Sequence, residues 1–208
     1  MTGRPAFPAR VVLATGNAGK LREMREILLP WRVEVRALTE FTTRAADETG
    51  LSFVENAILK ARFAAEVAGL PAIADDSGLE VDALHGAPGI YSARYAGPGA
   101  DDAANNRRLL AALADVPNGL RAARYHCAMV YLRWPADPSP VIAQASWEGS
   151  IARAPRGSGG FGYDPLFVVA GGERMAAEMD AAEKNRVSHR GQALRALVAA
   201  LGDAPVLP

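Results

Sequence analysis

Ala72-Ile73-Ala74-Asp75-Asp76-Ser77-Gly78 is the stretch on which the fold turns. Its apolar run is short and reads as a buried strand, closed by two adjacent acids, a hydroxyl and a glycine. Neighbouring carboxylates repel, and buried charge is costly without compensation. Two readings stay open on these residues alone. In one, the strand gives way to an Asx-type turn with both acids solvated. In the other, a divalent cation makes the pair tolerable and the glycine lets the chain turn tightly beside it.

Upstream, Ser52-Phe53-Val54-Glu55 is a capping box, which starts a helix at Ser52. The helix runs through Asn56, Lys60 and Phe63 and ends near Gly69, with Pro71 beyond it. Lys60 follows Asn56 by one turn, so the two share a face; a lone helical lysine is usually solvated, yet the helix leads straight into the strand of the acids, so that face either meets solvent or borders the same site. Before it, Asp47-Glu48-Thr49-Gly50 is a polar connection in which Glu48 reads, on local grounds, as an ordinary surface acid. Val33, Val35 and Leu38 make a short strand. Earlier still, Val11-Val12-Leu13-Ala14 is a strand, and Thr15-Gly16-Asn17-Ala18-Gly19-Lys20 follows it directly. Leu21, Met24, Ile27 and Leu28 then keep helical spacing until Pro30. Strand, polar glycine loop and helix together aim backbone N–H groups at the loop, which suits phosphate. The loop is not a Walker A sequence, because Leu21 follows the lysine, and it lacks G-x-G-x-x-G.

Downstream, Leu79 and Val81 alternate with Glu80 and Asp82, as on a half-exposed edge. His85 to Tyr95 is punctuated by glycine and proline yet carries Tyr91, Arg94 and Tyr95, so this loop packs on a partner chain or a ligand. Asp101 or Asp102 caps a helix with Leu109, Leu110 and Leu113 inward and Pro117 at its end. Tyr125 to Trp134 is apolar on both faces, the pattern of a central strand. Pro135 to Pro140 turns the chain, and Val141 to Trp147 returns as an antiparallel partner. The expectation is a single α/β domain over 1–208, its mixed sheet flanked by helices, with a second lobe around 121–155.

Gly157-Ser158-Gly159-Gly160-Phe161-Gly162-Tyr163-Asp164-Pro165 is the other informative loop. Its glycines admit close backbone approach, Phe161 offers a stacking face and Asp164 an acceptor. Lys184 to Arg190 precedes a helix striped with Leu194, Leu197, Val198 and Leu201, with Ser188 as N-cap. His189 and Arg190 then sit in the first turn, where cations oppose the helix dipole. Either a ligand with acceptors lies nearby or the turn is simply solvated.

Composition narrows the function classes. The 208 residues carry 23 Lys plus Arg against 23 Asp plus Glu, and half are hydrophobic. Such a chain buries a substantial core, and without a basic excess a nucleic-acid polymer is not the expected partner. The single cysteine, Cys127, lies in an apolar run, so it reads as a core residue of a reducing compartment. No stretch reaches the ~18 apolar residues of a membrane span, and the first residues lack a signal-peptide core. The expectation is a soluble, cytoplasmic protein.

Six motifs in order resemble the XTP/dITP diphosphatases, the inosine triphosphate pyrophosphatase family. They are Thr15 to Lys20, Phe53 to Ala61, Ala74 to Leu79, Gly86 to Arg94, Gly160 to Pro165, and Ser188-His189-Arg190-Gly191. The resemblance covers residues 11 to about 201. It implies an elongated sheet in two lobes with a nucleotide cleft between them, usually in a homodimer. It implies hydrolysis of ITP, dITP or XTP to monophosphate and pyrophosphate with Mg2+. Carried over, Thr15, Gly16, Asn17, Ala18, Gly19 and Lys20 hold the triphosphate with Lys60. Glu48 and Asp76 bind magnesium, Asp76 serves the attacking water, and Ser77 contacts the nucleotide. Phe161, Gly162, Tyr163, Asp164, Lys184, His189 and Arg190 surround the base. The number of acids suits magnesium, which prefers one or two carboxylates plus phosphate oxygens and water. The rival readings are a related pyrophosphatase for modified pyrimidine or methylated nucleotides, and a non-catalytic nucleotide sensor.

Overall fold

The computed structural model describes residues 8–202. Its strands are β1 (Arg10–Leu13), β2 (Glu34–Ala37), β3 (Ala72–Val81), β4 (Ala122–Leu132), β5 (Val141–Ile151) and β6 (Phe167–Val169). Its α-helices are α1 (Ala18–Leu28), α2 (Phe53–Ala68), α3 (Asp102–Ala112), α4 (Ala181–Val187) and α5 (His189–Leu201). The strands form one mixed sheet in the order β2-β1-β3-β4-β5-β6. β1 runs parallel to β2, with Val11 opposite Val35, and parallel to β3, with Leu13 opposite Ile73. Parallel neighbours need long crossovers, and the α1 and α2 segments supply them. β5 and β6 pair antiparallel, Ser150 opposite Val168. No helix among the described residues is long and apolar enough to cross a membrane.

The strand that carries the acids differs from its sequence reading. β3 does not stop at Asp75 and Asp76 but continues through Ser77 and Gly78 to Val81. Leu79 and Val81 are fully buried, so hydrophobic side chains beyond the turn-like residues anchor the extended backbone. Pro88 bridges to Glu80, and the aromatic segment after it is a 3-10 helix, Gly89–Arg94, rather than an open loop. A short helix that the sequence pattern left as a connection, α4, is capped by Asp180, whose side chain accepts from the Glu183 N–H.

The chain divides into two compact units. The first takes the residues up to Asp76, Cys127–Ala145 and everything from Arg190 onward; the second takes Ser77–His126 and Ser146–His189. The expected second lobe over 121–155 is therefore redrawn, because β4 and β5 each contribute residues to both units. In the first unit Val11, Leu13, Ile73, Cys127, Met129 and Tyr131 come from alternate strand positions and so share one face. Met24, Ile27 and Leu28 of α1 and Leu194, Leu197, Val198 and Leu201 of α5 cover it. Burying each such side chain contributes roughly 1.5–3 kcal/mol. Ala57, Ala61, Ala64 and Ala65 of α2 are buried as well, a small-residue face that lets a helix pack closely. Cys127 belongs to this core, and burial pushes its thiol up to about 12. The second unit centres on Leu79, Val81, Leu109, Leu113, Tyr125, Trp147 and Phe167.

Candidate active site

The loop after β1 builds the first half of the site. Asn17 caps α1, its Oδ1 accepting from the Lys20 N–H at 3.0 Å, and Thr15 Oγ1 accepts from the Asn17 N–H at 3.1 Å. Ala18, Gly19 and Lys20 thus form the first helical turn, whose N–H groups have no intrahelical partners. A Cβ added to Gly16 would meet no protein atom, so that glycine leaves open space instead of relieving an internal clash. Lys20 reaches from this turn to Asp75, Nζ to Oδ2 at 2.8 Å.

Lys60 is the centre of the second half. Its Nζ lies 2.6 Å from Asp76 Oδ1 and 3.3 Å from Glu48 Oε1. Asn56, one turn earlier and fully buried, donates to Asp76 Oδ2 at 3.4 Å while its own Oδ1 accepts from the Gly50 N–H at 2.9 Å. A Cβ on Gly50 would come within 2.6 Å of Glu55 and 2.8 Å of Asn56, so glycine is what lets the Glu48 segment close onto α2. Asn56 therefore holds an acid and the backbone beside the other acid.

Because β3 is one continuous strand, its adjacent acids point to opposite faces. Asp75 shares the face of Ile73, towards α1 and α5, and Asp76 the face of Ala74, towards α2. Their partners then separate their chemistry. Burial drives the Asp75 carboxyl upward, but Lys20, Arg190 and Lys60 outweigh it and hold the group below the ordinary carboxylate range. Burial also raises Asp76, and there Lys60 offsets it only in part, with Glu48 adding to the rise. Lys60 is itself desolvated, yet Asp75, Asp76 and Glu48 keep its ammonium charged. The same burial thus acts on two neighbouring acids, and their cation partners leave Asp75 below its ordinary range and Asp76 above it.

Among the described residues no three His, Cys, Asp or Glu side chains gather into a metal cage. The Glu48–Asp76 pair does fit a magnesium ion, because two carboxylates already converge on one cation, and phosphate oxygens and water complete such a shell.

The second unit holds the other candidates. Asp164 is a buried hub: Tyr125 Oη donates to Oδ1 at 3.1 Å, and Lys184 Nζ and the Phe161 N–H donate to Oδ2 at 2.5 and 3.0 Å. Lys184 Nζ also stands 4.8 Å from the Phe161 ring centroid. Gly160 has φ +72°, and a Cβ there would overlap Asp164 Oδ2, so only glycine closes this loop. Gly162 is gripped on both sides, its N–H donating to Asp102 Oδ2 at 2.6 Å and its carbonyl accepting from Asn106 at 2.9 Å. Tyr163 donates to the Ser92 carbonyl at 2.8 Å. His189 stacks on Tyr125, centroids 4.7 Å apart and planes 9° off parallel. Ser77 is half-buried directly after Asp76.

A family model settles the relationship: the Ham1 family matches residues 11–200. The chain belongs to the Ham1 family. It is 62% identical over 189 residues to a dITP/XTP pyrophosphatase of Thioalkalivibrio sulfidiphilus, covering 91% of this chain and 96% of that one. Identity is 57% to the dITP/XTP pyrophosphatase of Escherichia coli O157:H7, over 92% of this chain and 98% of that one. Among solved structures, a HAM1 protein from Coxiella burnetii superimposes with a TM-score of 0.86 at 49% identity, covering 94% of this chain and 99% of its own. A nucleoside-triphosphatase, dITP/XTP pyrophosphatase, from Mycobacterium abscessus gives 0.73 at 46% identity, with 91% and 98% covered.

In this Ham1 chain the motif residues fall into two groups. Thr15 to Lys20, Glu48, Lys60, Asp76 and Arg190 lie in the first unit, whereas Ser77, Phe161 to Asp164, Lys184 and His189 lie in the second. Arg190 has acid partners that its sequence reading does not name. Expected at the base beside His189, it is buried on Glu23, to which Nη1 donates, and on Asp75, 3.4 Å from Nε. These acids also account for a cation tolerated in the first turn of α5. Asn56 and Glu23 were not candidates. An asparagine on the same helical face as Lys60 was the available signal for the first, and nothing local marks the second.

Proposed function

We propose that this protein hydrolyses non-standard purine nucleoside triphosphates, of the ITP, dITP and XTP class, to the nucleoside monophosphate and pyrophosphate. The carrying observation is Lys60 set between Glu48 and Asp76, in the same unit as the capped loop Thr15 to Lys20. That unit offers phosphate a helix N-terminus, two ammonium groups and a carboxylate whose proton affinity burial has raised.

Each part has a task in cleaving a phosphoanhydride. The Thr15–Lys20 turn orients the triphosphate through backbone N–H groups, and Lys20 and Lys60 neutralise charge developing on the transferred phosphoryl. Asp76 accepts a hydrogen bond from the attacking water and holds it in line, its two oxygens fixed by Lys60 and Asn56 respectively. Glu48 and Asp76 would hold Mg2+, which supplies Lewis-acid neutralisation of the phosphate oxygens. The donor set favours such a cation. Lys20, Lys60 and Arg190 set three positive charges against the four negative charges of Glu23, Asp75, Asp76 and Glu48, so a polyanion needs added positive charge to bind.

The purine is assigned to the Phe161 face and to the donors Lys184 and His189. Hypoxanthine and xanthine carry an acceptor oxygen at the six-position where adenine carries a donor amine. Donors facing that amine would be left unpaired, enough for ~10²-fold rejection of ATP. This reading sets the work in the cytoplasm and takes the active species to be a homodimer, with the aromatic segment Gly89–Arg94 as its interface. Tyr91, 54% exposed on that segment, favours a covered surface. Light scattering showing a monomer at micromolar concentration would remove the dimer.

The deciding assay is product analysis on ITP, XTP, GTP, ATP, a modified pyrimidine triphosphate and a methylated nucleotide, with and without EDTA. Pyrophosphate released from ITP and XTP, abolished by EDTA and restored by magnesium, is the expected result. Orthophosphate as the product, or equal rates on ATP, would overturn the assignment, and binding without turnover would make the protein a sensor.

A further inference from the structure

Four charges alternate in a chain behind the phosphate loop. Lys20 Nζ and Arg190 Nε both donate to one oxygen, Asp75 Oδ2, at 2.8 and 3.4 Å, and the far side of Arg190 donates to Glu23. Glu23 follows Lys20 by three residues on α1, so the two project from the same side of the helix. Asp75 and Arg190 are each 2% exposed and Glu23 9%, so water does little to dilute these attractions. Resting on the function proposed above, we propose that Arg190 is a positioning residue for the triphosphate: it occupies Asp75 so that Lys20 keeps its charge for phosphate, and Glu23 holds Arg190 in that place.

The physical reason lies in competition for one anion. Paired with Asp75 alone, Lys20 would be a neutralised ammonium, and a triphosphate would have to break that pair to use it. A second cation on the same oxygen shares the anion, leaving Lys20 with positive charge to offer. Arg190 suits the task because its planar fork can serve two carboxylates at once and stays ionised when buried. Glu23 supplies the other carboxylate, without which a buried guanidinium sharing one acid with Lys20 would be costly. Asp75 thereby has a function distinct from Asp76: it sets the electrostatics of the phosphate turn, and Asp76 faces the reaction.

Magnesium tripolyphosphate is the probe, because it has no base and reports the phosphate turn alone. Calorimetric titration of Arg190→Gln should show affinity about tenfold weaker than wild type, in the range of residues that share one charge network. The triple variant Glu23→Gln, Asp75→Asn, Arg190→Gln removes the competing acids with the arginine and leaves Lys20 alone; near-isosteric replacement of a whole buried ion group is commonly tolerated. Its affinity should return to within about threefold of wild type. With ITP, Arg190→Gln should raise KM about tenfold with kcat within about threefold, the pattern of lost uniform binding. Recovery in the triple variant is the readout that a merely structural arginine would not give. A triple variant as weak as Arg190→Gln, or an Arg190→Gln protein that binds like wild type, overturns the proposal. Should wild type release no pyrophosphate from ITP, the proposed function falls, while the tripolyphosphate titrations still judge the role of Arg190.

Discussion

Asp76 sits where burial lifts a carboxyl above its usual range while Lys60 keeps one of its oxygens fixed 2.6 Å away. A carboxylate so fixed is placed to hold a water in line. Asp76→Asn preserves shape and the Asn56 contact but removes the charge. Turnover of ITP should fall by ~10² or more, the scale of losing one preorganised electrostatic group, with the circular dichroism spectrum unchanged. An asparagine variant with near wild-type kcat in magnesium would end the catalytic assignment. Asp75 offers the contrast. The same burial acts on it, but three cations reverse the outcome and hold it below the ordinary carboxylate range.

Elements are held here by arginines as much as by hydrophobic packing. Arg121, 2% exposed just before β4, donates to the carbonyls of Ile151 and Leu113 at 2.7 and 2.6 Å and of Ala152 at 3.0 Å. It thereby stitches the end of α3 to the end of β5. Arg121→Met should cost roughly 3 kcal/mol or more in urea denaturation, because several buried carbonyls lose their donor together. At the β4–β5 turn, Arg133 grips buried Asp137 at 2.8 and 2.6 Å, and the Ser139 N–H adds a bond at 3.0 Å. The Arg133 side chain and the backbone N–H donors hold the Asp137 carboxyl below the ordinary range against the pull of burial. A carboxyl depressed on folding contributes stability above its unfolded value, and that contribution is lost as pH falls towards the folded one. The stability difference between wild type and Asp137→Asn should therefore be full near neutral pH and shrink below about pH 4. A constant difference down to pH 2 would contradict it. Caps and stripes made much of this scale legible: Ser52 and Gly69 bound α2, and Leu194 to Leu201 line α5, as their chemistry predicts. α4 escaped because it is short and lacks an apolar stripe. β3 was read as ending early because Asp-Asp-Ser-Gly is turn chemistry, and only burial of Leu79 and Val81 overrides it. The Arg190 partner escaped for a plainer reason: Glu23 is 167 residues away in the chain.

At the scale of the whole molecule, neither unit is a continuous piece of chain. The first needs residues up to Asp76, Cys127–Ala145 and the segment from Arg190, and three of the four chain passages between units fall inside β3, β4 and β5. The six family motifs were legible because each is local, whereas this interleaving depends on pairings that no single stretch of sequence displays. A fragment ending at Asp76 lacks Cys127, Met129, Tyr131 and all of α5 from its core. It should show no cooperative thermal transition, and a sharp transition in that fragment would refute the partition.

The continuity of β3 makes the division of labour between its acids a matter of parity. Odd and even positions of a strand are sorted to opposite sides, so a single inserted residue between Ile73 and Asp75 would deal each acid to the other's helix, and a second insertion would deal them back. Lys20 and Lys60 would find a carboxylate in either case. What a change of one in the count would reverse is the side taken by every later residue of the strand, buried Leu79 and Val81 included, with composition and net charge left almost as they were.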